Sequence, residues 1–358
     1  MKYTCIDSFS GAGGLALGFR EAGFEVLLSF DNDPRCIETQ KMNGKYLGHP
    51  AVIASIEEME NGRLLEIAGL ARGDLFLFAG GPPCQGFSIQ RIGSDEDPRN
   101  NLVSRFMGLV DELQPKYFLM ENVAGITGKR GKHVFQDALN KAASIGYWTH
   151  VAILDTQDYG VPQRRRRVVV VGERNDGTPP VFQFPAPSTP EGRRVTVRRA
   201  IGHLPPPPVD GTDHPKIPHH RKDRLSATNL KRIKALKQGQ GRTSLPDELL
   251  ADCHRRDASE IGHRNVYGRM SWDKVSPTIT ARFDSFTRGL FGHPEQLRSI
   301  TLREGALLQT VPADFVFSGN KVDVARQIGN AVPRFFAKAI GRQIIRCHQA
   351  KVEKRRAG

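Results

Sequence analysis

Short apolar runs alternate with amphipathic stretches through the first half of the chain: YTCIDSF, GLALGFREAG, FEVLLSF, DLFLFAGG, NLVSRFMGLVDEL and KYFLM. Compact apolar runs read as buried strands and the longer periodic ones as helices, so the alternation predicts a doubly wound α/β sheet. Glycine-rich or acidic residues follow several of the strands, in SFSGAGG, SFDND and AGGPPC. Ligands of open α/β sheets bind beyond the carboxyl ends of the strands, so these turns are expected to line one crevice. A strongly apolar segment, VVVVGER, closes this half at about Val168 to Arg174.

Beyond it the pattern changes. From Asn175 to about Val275 the chain is rich in Pro, Arg, Lys and His, as in TPPVFQFPAPSTP, LPPPPVD and HPKIPHHRKDR. Prolines at that density exclude regular central strands and long helices, which predicts a smaller irregular domain; a disordered linker is the alternative. The tail from Arg334, beginning RFFAKAIGRQIIRCHQA, has helical spacing and is expected to pack back on the first domain. The expected division is 1–175 as the first domain, 176–275 as the irregular one, 276–316 as a hinge and return segment, and 317–358 as the segment completing the first domain.

The chain has 358 residues and is 39% hydrophobic, enough for a large core. No apolar run is long enough for a membrane span and MKYTCIDSF is no secretory signal, so the expected location is cytoplasmic. Five scattered cysteines give neither a disulfide framework nor a zinc spacing. The net charge of +14 favours a polyanionic partner, because each phosphate neutralised by Lys or Arg releases a condensed counterion. A basic enzyme with no such partner remains the plainer reading.

Chemistry concentrates in a few places. In DSFSGAGG, Asp7 to Gly14, glycines stand where backbone must approach a ligand closely, although such turns also serve helix packing alone. Asp31 ends the next strand, where an acid accepts hydrogen bonds from ribose hydroxyls; Asp33 is the alternative, with a helix cap ahead of Pro34 as its structural role. In GGPPCQGFS, two prolines stiffen the approach to Cys84 and small or polar residues follow it, which suits an accessible thiol. KYFLMENVAG delivers Glu121 and Asn122 to the same sheet edge, where a carboxylate is costly unless paired or functional. In QRRRR, Gln163 to Arg167, strand geometry puts Arg165 and Arg167 on one face and Arg164 and Arg166 on the other; a solvated basic face is the competing reading.

The ordered set DSFSGAGG, GGPPCQGFS, ENV, QRRRR, SPTITARF and RQIGNAVP resembles the bacterial C5-cytosine-specific DNA methyltransferase family, from about Tyr3 to the last helix, with about Asp176 to Gly268 lacking a match. The resemblance implies a Rossmann-like S-adenosylmethionine-dependent methyltransferase sheet, a smaller irregular target-recognition domain, and double-stranded DNA as partner, with S-adenosylhomocysteine as product. It implies Cys84 as nucleophile, Glu121 as the acid beside the target base, and Arg165 and Arg167 as the pair positioning catalytic groups and the base carbonyl. Phe9 would stack on adenine; Gly11, Ala12, Gly14 and Leu15 would form the close-packed loop; Asp31 would take the ribose; Ile56 would lie by the adenine. Leu102, Asn330 and Val332 would approach the methionine half. Many members place an aspartate before that isoleucine, where this chain has Ser55.

The chemistry accords with those residue types. Carbon 5 of cytosine is a poor nucleophile until a thiolate adds at carbon 6, and sulfur also leaves readily. A base inside a duplex is out of reach, so the target must be flipped out. Gln90 and Arg91, in the loop after Cys84, are the candidates for DNA contact there. A tRNA cytosine methyltransferase and a catalytically silent DNA-binding relative are the alternatives; the Cys-Phe-Thr signature of the first is missing and the nucleophile lost in the second is present. A cognate restriction or defence system is an implied associate, and a monomer suffices for the chemistry.

Overall fold

A computed structural model of the chain describes residues 2–60, 62–83, 101–252 and 266–357. These form two compact units, one of residues 1–156, 166–187 and 332–358, the other of residues 157–165 and 188–331. The main stretch of the second unit, from Ser188, starts later than the change in composition, because residues 181 and 182 stay with the first: both backbone N–H groups donate to the buried Glu173 carboxylate, at 2.9 and 3.0 Å. Residues 276–331 group with the second unit, and the return to the first comes at Val332.

The first unit follows the expected alternation. Its elements are β1 (Thr4–Ser8), α1 (Gly14–Ala22), β2 (Glu25–Asp31), α2 (Pro34–Met42), β3 (Ala51–Ile53), α3 (Arg63–Ala68), β4 (Leu77–Gly80), α4 (Asn101–Leu113), β5 (Tyr117–Val123), α5 (Lys132–Ser144), β6 (Tyr147–Asp155) and β7 (Arg166–Arg174). The seven strands lie in the order β3-β2-β1-β4-β5-β7-β6. Neighbours from β3 to β5 pair in parallel, while β7 runs antiparallel to both β5 and β6. The central parallel strands are buried along nearly their whole length, β4 as LFAG and β5 as YFLMEN, as sheets covered on both faces require.

The last helix, α10 (Arg334–Ala357), packs along α1 in this unit. A Cβ at Gly18 of α1 would run into the Arg334 carbonyl and lie 2.5 Å from the Ala337 side chain, so only glycine permits the approach. Lys351 of α10 reaches Glu173 of β7 at 2.8 Å, bolting the helix to the sheet. Nearby His348 is buried with its ring 4.9 Å from Phe76 and its Nδ1 3.4 Å from the Tyr117 hydroxyl.

The second unit contains α6 (Val197–Ile201), α7 (Ala227–Ala235), α8 (Leu302–Leu308) and α9 (Lys321–Asn330), with only isolated bridges between extended segments among its described residues. Chain so rich in proline leaves backbone carbonyls without ladder partners, and buried arginines take them up. Arg269 donates to the carbonyls of Ile233, His293 and Gln296, and Arg303 to those of Pro218, Pro312 and Phe315. Burial lowers the Arg303 pKa to about 10, and it remains a cation at neutral pH. These contacts tie the extended segments of the second unit to one another.

Burial, aided by the positive charge of Lys116 and Lys351, pushes the His348 pKa down to about 4 from an ordinary 6.5. The ring is neutral when folded and must take a proton when unfolded, so its contribution is full above about pH 6.5 and is lost as pH falls toward about 4. His348→Phe keeps the aromatic packing and removes the proton site. Chemical denaturation at several pH values is expected to show a smaller stability loss for this variant than for wild type across that window; parallel losses would contradict it.

Candidate active site

The turn after β1 is an unusual piece of backbone. Phe9, Gly11 and Gly13 have φ of 51°, 51° and 87°, and for Phe9 that left-handed value is strained. The strain is held by neighbours. Asp31, at the end of β2, accepts from the Gly11 N–H at 2.8 Å and from the Asp33 N–H at 2.9 Å. Gln40, buried on α2, donates to Ser10 Oγ at 2.8 Å and to the Gly11 carbonyl at 2.7 Å, and accepts from Ser29 Oγ at 2.5 Å. Ser29 Oγ also lies 2.9 Å from His49 Nε2.

The same turn opens α1, whose N-cap is Gly13 with no capping side chain. Asp7, fully buried on β1, accepts from the Ala16 N–H at 3.1 Å and so replaces the cap. Burial pushes its carboxyl well above the usual carboxylate range, with Asp31 adding to the rise. A Cβ on Gly14 would strike the Val332 carbonyl, so this glycine brings the two segments of the first unit together. A Cβ on Gly11 would meet open space. That space leaves room for a ligand against the backbone, beside a carboxylate, Asp31, oriented by two backbone donors.

The second cluster sits on β5 and β7. Their antiparallel register pairs Glu121 with Val169 and Val123 with Arg167. Arg167 Nε lies 2.7 Å from Glu121 Oε1, with both side chains about nine-tenths buried. Among the described residues Oε1 makes no hydrogen bond, so its contact with Arg167 is an ion pair whose angle falls short of one. A Cβ on Gly81 would stand 3.3 Å from Glu121 Oε2, which leaves that oxygen room beside the Gly81 backbone. Asn122 donates to the Pro82 carbonyl at 3.0 Å and accepts from the Val123 N–H at 2.9 Å, fastening the run that leads into Cys84. Cys84, Gln90 and Arg91 themselves lie outside the described residues. Cys5, by contrast, is fully buried, and burial followed by Asp7 pushes its thiol well up, an inert setting.

The other expected residues fall as follows. Phe9 and Leu102, both half-buried, pack against the core cluster that also contains buried Ile56. Ala12 and Leu15 are buried beneath the turn. Ser55 directs its backbone N–H to Glu58 at 2.7 Å. Asp33 caps α2, accepting from the Arg35 N–H at 3.0 Å. Arg165 is buried in the second unit, donating to the carbonyls of Ile279 and Gly329 at 3.0 and 2.9 Å, while Arg164 and Arg166 are exposed. Asn330, exposed, ends α9 in the second unit, whereas Val332 belongs to the first. Sequence reasoning missed Asp7 as the remote cap, although its motif was in view, and missed Gln40, which carries no local signal.

Comparison with known proteins follows the same lines. The family described as C-5 cytosine-specific DNA methylase matches residues 3–346. The chain is 36% identical over 361 residues to the Type II methylase M.HgiDII of Herpetosiphon aurantiacus, covering 99% of each. It is 36% identical to the Type II methyltransferase M1.HphI of Haemophilus parahaemolyticus, covering 97% of this chain and 87% of that one. Among solved structures, a protein titled as a DNA modification methyltransferase encoded within an E. coli prophage superposes with a TM-score of 0.72 at 26% identity, over 97% of this chain and 100% of that one.

Gln40→Leu leaves Ser10 Oγ and the Gly11 carbonyl without their donor. Losing buried hydrogen bonds costs about 1–3 kcal/mol, expected here as an approximately tenfold or greater rise in KM for S-adenosylmethionine with kcat nearly unchanged. An unaltered KM would show that the turn holds its shape without Gln40.

Proposed function

Because the chain belongs to the C-5 cytosine-specific DNA methylase family, we propose that it methylates carbon 5 of a flipped-out cytosine in duplex DNA through a covalent adduct at Cys84. The protein is a DNA (cytosine-5-)-methyltransferase of the Type II kind. S-adenosylmethionine, which the family and fold imply, supplies the methyl group. Phe9, Gly11, Gly14 and Asp31 are the residues to hold it, with Ala12, Leu15 and Ile56 packed below and Leu102, Asn330 and Val332 toward its methionine half. The open space over Gly11 and the oriented Asp31 carboxylate support that assignment.

The Glu121–Arg167 pair carries the mechanistic reading. Cys84 sulfur, as thiolate, adds to carbon 6 and pushes electron density toward ring nitrogen 3 and the carbonyl oxygen. Arg167 occupies Oε1 of Glu121, so Oε2, beside Gly81, is the oxygen that meets nitrogen 3; protonated there, it passes its proton to the nitrogen as the thiolate adds, and the resulting carboxylate is held by Arg167. The remaining guanidinium N–H groups of Arg167 are suited to the developing charge at the base carbonyl. Carbon 5, now enamine-like, takes the methyl; loss of its proton and departure of the Cys84 sulfur restore aromaticity. Asn122 donates to the Pro82 carbonyl and so ties β5 to the chain two residues before Cys84. Arg165 is a positioning residue, acting through the Ile279 and Gly329 carbonyls rather than at the base.

The second unit is assigned to target recognition, and Gln90 and Arg91 to DNA contact at the loop after Cys84. The named relatives are Type II enzymes, which supports the modification half of a restriction–modification or phage-defence pair, acting as a cytoplasmic monomer on DNA.

Purified protein, tritiated S-adenosylmethionine and unmethylated genomic DNA test the reading. Label is expected in 5-methylcytosine, with transfer by Cys84→Ser reduced at least about 10²-fold, in keeping with loss of a covalent route. No transfer by wild type, or transfer by Cys84→Ser at the wild-type rate, would defeat it.

A further inference from the structure

Several cations of the second unit already have acceptors. Arg269 and Arg303 are spent on backbone carbonyls, Arg298 meets Glu304 at 2.7 Å, and Arg198 meets Asp273 at 2.8 Å. The exposed cations without an acceptor among the described residues include the Arg164 guanidinium and the Lys274 ammonium. Both line one open cleft of about 600 Å³, wholly within the second unit. Arg194 lines it too, gripped by Asp158 at 3.0 Å, while its buried Nε has no partner.

The cleft wall is rigid because three chain segments are sewn together through backbone. Gln163 bridges Ser276, the Arg164 N–H donates to the Ser276 carbonyl at 2.9 Å, and Thr278 Oγ1 donates to the Arg164 carbonyl at 2.8 Å. The Val197 N–H donates to the Lys274 carbonyl at 2.9 Å and the Arg198 N–H to the Trp272 carbonyl at 2.9 Å. Gln163 and Arg165, on either side of Arg164, are buried, so Arg164 is the residue of that run turned outward.

We propose that Arg164, Arg194 and Lys274 form a clasp for backbone phosphates of the DNA duplex, which rests on duplex DNA being the substrate. The charge balance favours an anion: Asp158 and Asp273 are occupied by Arg194 and Arg198, leaving Glu191 on the rim as the one lining carboxylate without a partner among the described residues. The cleft is open, as a polymer needs, and its hydroxyls, Thr196 and Ser271, are of the kind that supplement phosphate contacts. A phosphate site sets position and affinity but reads no base, so its loss acts alike on every sequence. The clasp also gives Arg164, one of the two exposed arginines of QRRRR, a role distinct from those of Arg165 and Arg167.

The test is the salt dependence of binding to a mixed-sequence DNA duplex, read by fluorescence anisotropy. Each lost phosphate contact removes about 0.9 from the slope of log affinity against log salt. Arg164→Ala/Lys274→Ala is therefore expected to show a slope shallower by about 1–2 and an at least tenfold weaker affinity at low salt. Its S-adenosylmethionine affinity is expected to match wild type, which excludes misfolding, and Lys41→Ala/Arg63→Ala, exposed cations of the first unit, is expected to keep the wild-type slope. A double variant with the wild-type slope and affinity would overturn the clasp, as would equal losses in the control or a changed slope with duplex RNA alone. Wild-type protein that transfers no methyl to DNA defeats the parent reading instead, a result the binding slope does not mimic.

Discussion

The contact between Arg167 and the buried Glu121 constrains the whole sheet. A carboxylate removed from water costs several kcal/mol unless a cation accompanies it, and here the cation comes from the first residues of a strand. That works only because β7 runs against β5: the start of β7 then lies at the carboxyl end of β5, where Val123 faces Arg167. A parallel β7 would send its leading arginines to the far end of the sheet. The one antiparallel insertion, with β6 flanking it, is thus what brings a guanidinium to the edge where β1 and β2 also end in the Phe9–Gly14 turn and Asp31.

Beside that edge, the turn after β1 shows how much support a strained backbone requires. Asp31, Gln40 and Asp7 each satisfy a different backbone group of the turn or of the helix it opens. Left-handed Phe9 persists because those contacts over-determine its neighbours. Gly14 is fixed from another direction by the Val332 carbonyl, which explains why a motif more than three hundred residues later belongs with this turn.

Much of this was legible in the residues. The alternation of apolar runs disclosed the parallel strands, and the glycine turns and acids at their ends pointed to the edge where the chemistry lies. Period-two geometry applies only from Arg166, where β7 begins; Arg165 lies before the strand and donates to the Ile279 and Gly329 carbonyls, while Arg167 meets Glu121. The less legible parts share a cause: they depend on partners remote in sequence. Gln40 is an ordinary polar residue on a helix until Ser10 and Gly11 are placed beside it, and β6, at the sheet edge, leaves the apolar Trp148, Val151 and Ile153 exposed, so its pattern does not mark a buried strand. The basic composition was read as one signal for a polyanion, whereas buried Arg165, Arg269 and Arg303 serve as internal staples for a proline-rich backbone. Only the remainder of the charge faces outward, and its placement rather than its sum identifies a partner.

The account stands on Glu121 acting at the ring nitrogen of the target base while Arg167 holds it. The most direct measurement is single-turnover methyl transfer by Glu121→Gln, which keeps the shape of the side chain and removes the acid. The account predicts a rate lower by about 10²–10⁴-fold with cofactor affinity intact. A variant that turns over at the wild-type rate would contradict it and move the proton-handling role elsewhere.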